Sequence, residues 1–286
     1  MNNGINLSII TFVFVIQTMA TINETAPILF IDLSYYVFYR YYALLNWYKL
    51  SQQPIDTGQI ASNPAFLSKF EKMFTDNITK LKKRMGIADA NVIFARDCTR
   101  DSIWRKSIFP NYKGTRSDKS RDFNGYIFIY TYDVILPRLL ARHHYKLLGC
   151  DNAEADDIIG ILKFKLRSQS QVPIFIITND MDYLQLADEY TQITNLRNVD
   201  LAKKGTGNAQ TDMLLKIIGG DSSDNISGVF PRCSKKQVMI YATCPEELES
   251  AFVKYPEARE KFRLNTTLVD IRMVPDLIRE KIEALI

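Results

Sequence analysis

Pro27-Ile28-Leu29-Phe30-Ile31-Asp32 places an unbroken run of large apolar side chains directly before a carboxylate. A run without polar alternation suits a strand covered on both faces, and such strands belong to parallel sheets. The same pattern recurs. NVIFA (residues 91–95) stops two residues short of Asp97, and PIFIIT (173–178) stops just before Asn179-Asp180. Shorter candidates lie near 145–149 and 190–196. Helices are expected between them: about 34–50, then 64–85 stopped by Gly86, then 126–143 with Pro137 as a kink or an end. Another runs from the Glu154 region to about Leu166. Strand-then-helix order predicts an α/β fold, a parallel sheet with helices on both faces. Ligands of such sheets bind beyond the carboxyl ends of the strands. Asp32, Asp97 and Asp180 all stand there.

The chain has 286 residues and 47% apolar composition, enough for one large domain or two small ones with a sizeable core. Cys98, Cys150, Cys233 and Cys244 form no CxxC pair, which argues against a disulfide framework or zinc site and for a reducing compartment. The two histidines, His143 and His144, fall at a helix end and read as surface residues, so any metal here must use oxygen ligands. The apolar decamer LSIITFVFVI (7–16) is too short to span a bilayer and has no Lys or Arg before it. It reads as a strand or packing arm, with a targeting segment as the alternative and Met19 as an alternative start. The net charge of +4 is uneven: residues 96–121 hold eight basic and three acidic residues. A basic zone beside gathered acids suits a polyanionic substrate. Residues 209–254 differ in character, with helices expected at about 210–219, 234–242 and 245–254. No internal repeat or low-complexity tract is present.

Nine carboxylates fall in five clusters: Asp32; Asp97; Glu154, Asp156 and Asp157 in EADD; Asp180 and Asp182 in TNDMD; Asp221 and Asp224 in GDSSDN. A lone Asp after a strand is most often a helix N-cap, and EADD alone is an ordinary first helical turn. Taken together, carboxylates brought close repel one another unless a cation intervenes. No lysine or histidine is interleaved within the clusters to supply it. Hard oxygen ligands select Mg²⁺, with Mn²⁺ an acceptable substitute. Two such ions can activate water and stabilise the leaving oxygen of a phosphodiester.

The runs NAEADDIIGIL, ITNDMDYLQL and GDSSDNISGV resemble the flap endonuclease and 5′-3′ exonuclease family, and WRKSIFPNYKGTR resembles the basic segment of its phage RNase H branch. The resemblance covers about residues 27–285. It implies a PIN-like catalytic domain over 27–205, with a helical arch at about 98–124. An extension (1–26) precedes it, and a helix-3-turn-helix-like DNA-binding subdomain with C-terminal helices (206–286) follows. It implies an Mg²⁺-dependent, structure-selective 5′ nuclease acting in replication and repair on branched or nicked DNA and RNA–DNA hybrids. Replication proteins such as a single-strand binding protein or clamp are implied partners, at an intracellular site of DNA replication, with no membrane role and a phage or viral origin open. By position, Asp32, Asp97, Glu154, Asp156 and Asp180 match the tighter metal site. Asp157, Asp182, Asp221 and Asp224 match the second, partly through waters. Lys113 and Arg105 match the catalytic basic residues.

Beyond the acids, Tyr112 is placed to stack on an unpaired base, and Arg116 adds to the basic stretch. Many members carry a glycine-rich hairpin and K⁺ after the GDSSDN position. This chain has Phe230-Pro231-Arg232-Cys233-Ser234-Lys235 instead. Pro231 has no N–H to donate, so K⁺ stays open. Arg232, Lys235 and Lys236 can hold phosphate by charge. Two rivals remain at this stage: a catalytically inactive junction-binding module, and a PIN-type RNase without duplex selectivity.

Overall fold

The computed structural model describes residues 22–53, 55–115 and 123–286. The apolar decamer, Met19 and Arg116 lie outside the described residues. Five parallel strands, β1 (Ile28–Asp32), β2 (Asn91–Ala95), β3 (Lys146–Leu148), β4 (Ile174–Ile177) and β5 (Thr191–Thr194), form one sheet in the order β3-β2-β1-β4-β5. Ile28 pairs with both Asn91 and Ile174, so β1 is central. The chain builds outward from β1 through β2 to β3, then returns to the other side of β1 for β4. The order reverses between β1 and β4, and there a crevice opens at the carboxyl edge.

Alternation along β1 divides the core. Leu29 and Ile31 join one apolar cluster with Tyr36, Val37, Phe70 and Phe74, from helices Leu33–Leu50 and Pro64–Met85. Ile28 and Phe30 join the other with Ile158, Ile159 and Leu162 of helix Ala155–Gln169. Both faces are therefore covered, as continuous apolar strands require. Gly86 ends the Pro64–Met85 helix in the left-handed conformation at φ 70°, which a residue without Cβ adopts freely.

Pro137 does not end its helix. A π turn, Thr131–Ile135, joins Tyr126–Tyr130 to Leu136–His143. Widening the helix just ahead of the proline accommodates its missing N–H and the ring's clash with the carbonyl four residues back. His143 and His144 are exposed.

Helices Ala209–Gly219, Lys235–Thr243, Pro245–Lys254 and Ala258–Val269 gather around a separate core of Ile218, Val229, Phe230 and Phe252. The chain's end does not stay with them. Ile271, Val274 and Ile282 return to the core beneath the sheet, bringing helix Asp276–Glu283 against Ala155–Gln169. Among the described residues, no helix is long and apolar enough to cross a membrane.

Candidate metal centre

The strand-end acids are helix caps and site residues at once. Asp32 caps helix Leu33–Leu50 by accepting from the Tyr35 amide at 3.1 Å, and its other oxygen accepts from Thr178 Oγ1 at 3.0 Å. Thr178 is fully buried at the end of β4, and its oxygen also accepts from the Asp180 amide at 3.2 Å. One hydroxyl thus ties β1's acid to β4's across the crevice. Asp180 caps the next turn by accepting from the Asp182 amide at 3.0 Å. Asp97 accepts from the Ala155 amide at 2.9 Å and from Ser34 Oγ at 2.5 Å, which docks β2's acid on the start of helix Ala155–Gln169.

Two acid trios flank these residues. Glu154, Asp156 and Asp157 each offer an oxygen within 4.8 Å of the others, and Asp182, Asp221 and Asp224 do the same. The second trio depends on a tight turn. Gly220 sits at φ 77°, and a Cβ there would lie 2.5 Å from the Gly228 amide nitrogen, so only glycine fits. A cleft of about 530 Å³ opens beside the strand-end acids and the second trio, lined by Asp32, Tyr35, Asp180, Lys216 and Asp221 among others.

Cations are interleaved in space although none is in sequence, which corrects the reading above. Lys216 contacts Asp182 and lies 2.8 Å from Asp221. Lys113 contacts Glu154 and reaches within 4.0 Å of Asp224, so it stands between the two trios. Arg105 is 1% exposed and takes Asp157 at 2.7 Å, Glu154 at 3.1 Å and the Leu268 carbonyl at 2.7 Å.

Three further corrections follow. Asp157 sits with Glu154 and Asp156, not with Asp182, Asp221 and Asp224. Its oxygens already accept from Arg105, from Trp104 Nε1 at 3.0 Å and from the Glu154 amide at 3.1 Å. These bonds anchor Asp157, and through it the trio, to Arg105 and Trp104. Arg105, saturated and buried, cannot swing toward a phosphate without abandoning Asp157. Tyr112 is 2% exposed and donates to Asp224 Oδ2 at 2.9 Å, so it positions an acid and presents no face to a base. Arg232, Lys235 and Lys236 are exposed around the start of helix Lys235–Thr243 and form no part of the trios.

Burial, then the neighbouring charge of Asp97, pushes the Asp32 carboxyl up to about 7. Burial and the charges of Asp157 and Glu154 hold Asp156 well above the usual range. Burial pushes Asp221 upward too, but hydrogen bonds and charge from Lys216 and bonds from Ser223 outweigh it and hold the group at about 2. Burial and like charge thus push Asp32 and Asp156 up, while Lys216 and Ser223 hold Asp221 down. A donor set made only of carboxylate oxygens fits hard divalent cations.

A family model for the 5′-3′ exonuclease N-terminal resolvase-like domain matches residues 27–215. The chain is 25% identical to Ribonuclease H of Enterobacteria phage T4 over 260 residues, covering 80% of this chain and 83% of the relative. It is 27% identical to a 5′-3′ exonuclease of Buchnera aphidicola over 232 residues, covering 79% and 73%. The bacteriophage T5 D15 flap endonuclease, solved with DNA and metal ions, superposes with a TM-score of 0.62 at 16% identity, over 91% of this chain and 97% of that one. That last likeness is one of fold.

Two predictions follow. The native protein binds a proton at Asp32 that the unfolded chain, with an ordinary carboxylate near ~4, has lost by neutral pH. Native proton uptake in that window means that stability falls as pH rises from ~4 through about 7. Thermal melts without metal should show Tm dropping between pH 5 and 7.5. Asp32→Asn should flatten the drop, and excess Mg²⁺ should reverse it at pH 7.5. Separately, Arg105→Ala strands the buried Asp157 charge and should cost about 3–5 kcal/mol in urea unfolding; an unchanged midpoint would make Arg105 dispensable to the fold.

Proposed function

The chain belongs to the 5′-3′ exonuclease family of phosphodiester hydrolases, and from that premise we propose a divalent-metal-dependent, structure-selective 5′ nuclease that cuts near single-strand/duplex junctions. The observation that carries this reading is Lys113, standing between two carboxylate trios at the carboxyl edge of the sheet.

Asp32, Asp97, Glu154, Asp156 and Asp180 would hold one ion, and Asp182, Asp221 and Asp224 the other. Mg²⁺ is the proposed ion, with Mn²⁺ as a substitute. When bound, such ions lower the pKa of water and stabilise a leaving oxygen. The protein's own part is placement. Thr178 fixes Asp32 and Asp180 relative to each other. Asp157 and Arg105 clamp the start of helix Ala155–Gln169 so that Glu154 faces Lys113. Lys113 then neutralises charge developing on the scissile phosphate, and its ammonium moves from carboxylate to phosphate over a short distance. Lys216 balances Asp182 and Asp221 until a cation arrives. Arg105 thus acts as a positioning residue and Lys113 as the catalytic cation.

For substrate, branched or nicked DNA is proposed on the strength of the D15 complex, and RNA–DNA hybrid on the name of the T4 relative. Residues 27–205 are proposed as the catalytic part. The helices of 206–269 are proposed to grip the duplex backbone through exposed Arg232, Lys235 and Lys236, while K⁺ plays no part in the proposal. An inactive junction binder would be expected to lack ligand acids, and none of the nine is replaced. A PIN-type RNase would cut unstructured RNA as well as flaps.

Labelled 5′-flap, nicked, RNA–DNA and unstructured RNA substrates, each with Mg²⁺, Mn²⁺ or EDTA, test the reading. Cleavage should need the metal and favour the junctions. Asp180→Ala should abolish cutting while retaining junction binding, and persistent cutting by that variant would contradict the metal assignment. Replacing Lys235 and Lys236 together should reduce the slope of log K against log[salt] by about 2; an unchanged slope removes both from the contact surface.

A further inference from the structure

The turn after β5 is tied to two residues that line the cleft. The Leu196 amide donates to the Tyr35 hydroxyl at 3.0 Å, and Asn195 Nδ2 donates to Asn179 Oδ1 at 3.1 Å. Asn195 is 5% exposed, and its Oδ1 accepts from the Arg197 and Val199 amides at 3.0 Å each. Backbone N–H groups only donate, so that end of Asn195 is the oxygen and the end that meets Asn179 is the nitrogen. The orientation of Asn179 follows. Its oxygen faces Asn195, and its own Nδ2 is directed away from the turn.

Asn179 is exposed, immediately precedes Asp180, and lines the cleft with Asp32, Asp180, Lys216 and Asp221. An anion entering so acidic a cleft needs donors, and most are already engaged. Thr178 donates to Asp32 at 3.0 Å, Ser223 donates to Asp221 at 2.7 Å, and Lys216 is held by Asp182 and Asp221. Among the described residues, no acceptor meets the N–H groups of Asn179 Nδ2. A neutral amide suits this position. A lysine would pair with the acids and compete with a divalent ion for them, whereas an amide bonds best to an ionised oxygen brought to it.

We propose that Asn179 is a substrate-binding residue whose Nδ2 donates to a non-bridging phosphate oxygen of the nucleic-acid strand lying in the cleft, with Asn195 as the residue that fixes its orientation. The inference rests on the nuclease reading above and adds an uncharged phosphate contact to it. If the Asn179–Asn195 bond only tied the end of β4 to the turn, replacing Asn179 would change stability and leave each phosphate of the substrate as important as before.

The test pairs Asn179→Ala in the full chain with 5′-flap substrates carrying a single methylphosphonate, which replaces one charged phosphate oxygen by a methyl group, at successive positions around the cut site. With Mg²⁺ and the unmodified flap, Asn179→Ala should raise KM about tenfold and largely keep kcat. One methylphosphonate position should cost the wild type about the same factor and cost the variant little more, because the two changes remove one interaction. Asn179→Asp keeps the acceptor for Asn195 and loses the donor, so it should melt like the wild type and raise KM at least as much. An unchanged KM in both variants overturns the inference and leaves the nuclease reading standing. So does a raised KM in Asn179→Ala whose methylphosphonate penalties match those of the wild type at every position. A wild type that cuts no flap defeats the nuclease reading, and this inference with it.

Discussion

Arg105, Lys113 and Lys216 stand among carboxylates that would otherwise repel one another, and the architecture of the centre follows from that balance. Acids at the ends of β1, β2 and β4 are brought together by a sheet that cannot avoid converging them. The fold gains nothing from such crowding by itself, because burial and like charge both disfavour ionised carboxylates. The three cations have different duties. Arg105 is locked into the core with Asp157 and holds the scaffold. Lys113 and Lys216 are tethered by flexible stems to acids that a divalent ion would take over. Burial beside Asp97 pushes Asp32 up to about 7, while Lys216 holds Asp221 down at about 2.

Cap and ligand are not competing readings of the strand-end acids. Asp32 uses one oxygen for the Tyr35 amide and offers the other to Thr178. Asp180 spends an oxygen on the Asp182 amide while its own amide leans on Thr178. The bond that caps the helix also holds each carboxylate facing the crevice. Positioning comes without additional residues.

Much of this was legible in the sequence. Uninterrupted apolar runs ending at Asp32, before Asp97 and before Asp180 announced parallel strands and the edge where the acids would meet, because strand burial and chain direction are local properties. Pro137 was legible as a disturbance but not as a π turn, since the helix can absorb a missing donor by widening. The partners of the acids were hidden for another reason. Asp157 finds Arg105 across 52 residues and Tyr112 finds Asp224 across 112, and no periodicity records pairing at such a distance. Tyr112 and Arg105 looked like substrate contacts because an aromatic and a cation in a basic loop resemble exposed groups, and only burial shows otherwise. Lys216 left a faint signal, a lysine in the last turn of a helix five residues before Asp221, where its stem reaches back to the acid. Thr178 left none beyond its place at the head of the TNDMD run.

The most direct measurement is anomalous diffraction from crystals of the protein soaked in Mn²⁺. The account predicts two peaks, one among Asp32, Asp97, Glu154, Asp156 and Asp180 and one among Asp182, Asp221 and Asp224, with Lys216 turned away from its acids. A cleft without peaks at saturating Mn²⁺, with Lys113 and Lys216 still paired to carboxylates, would contradict it.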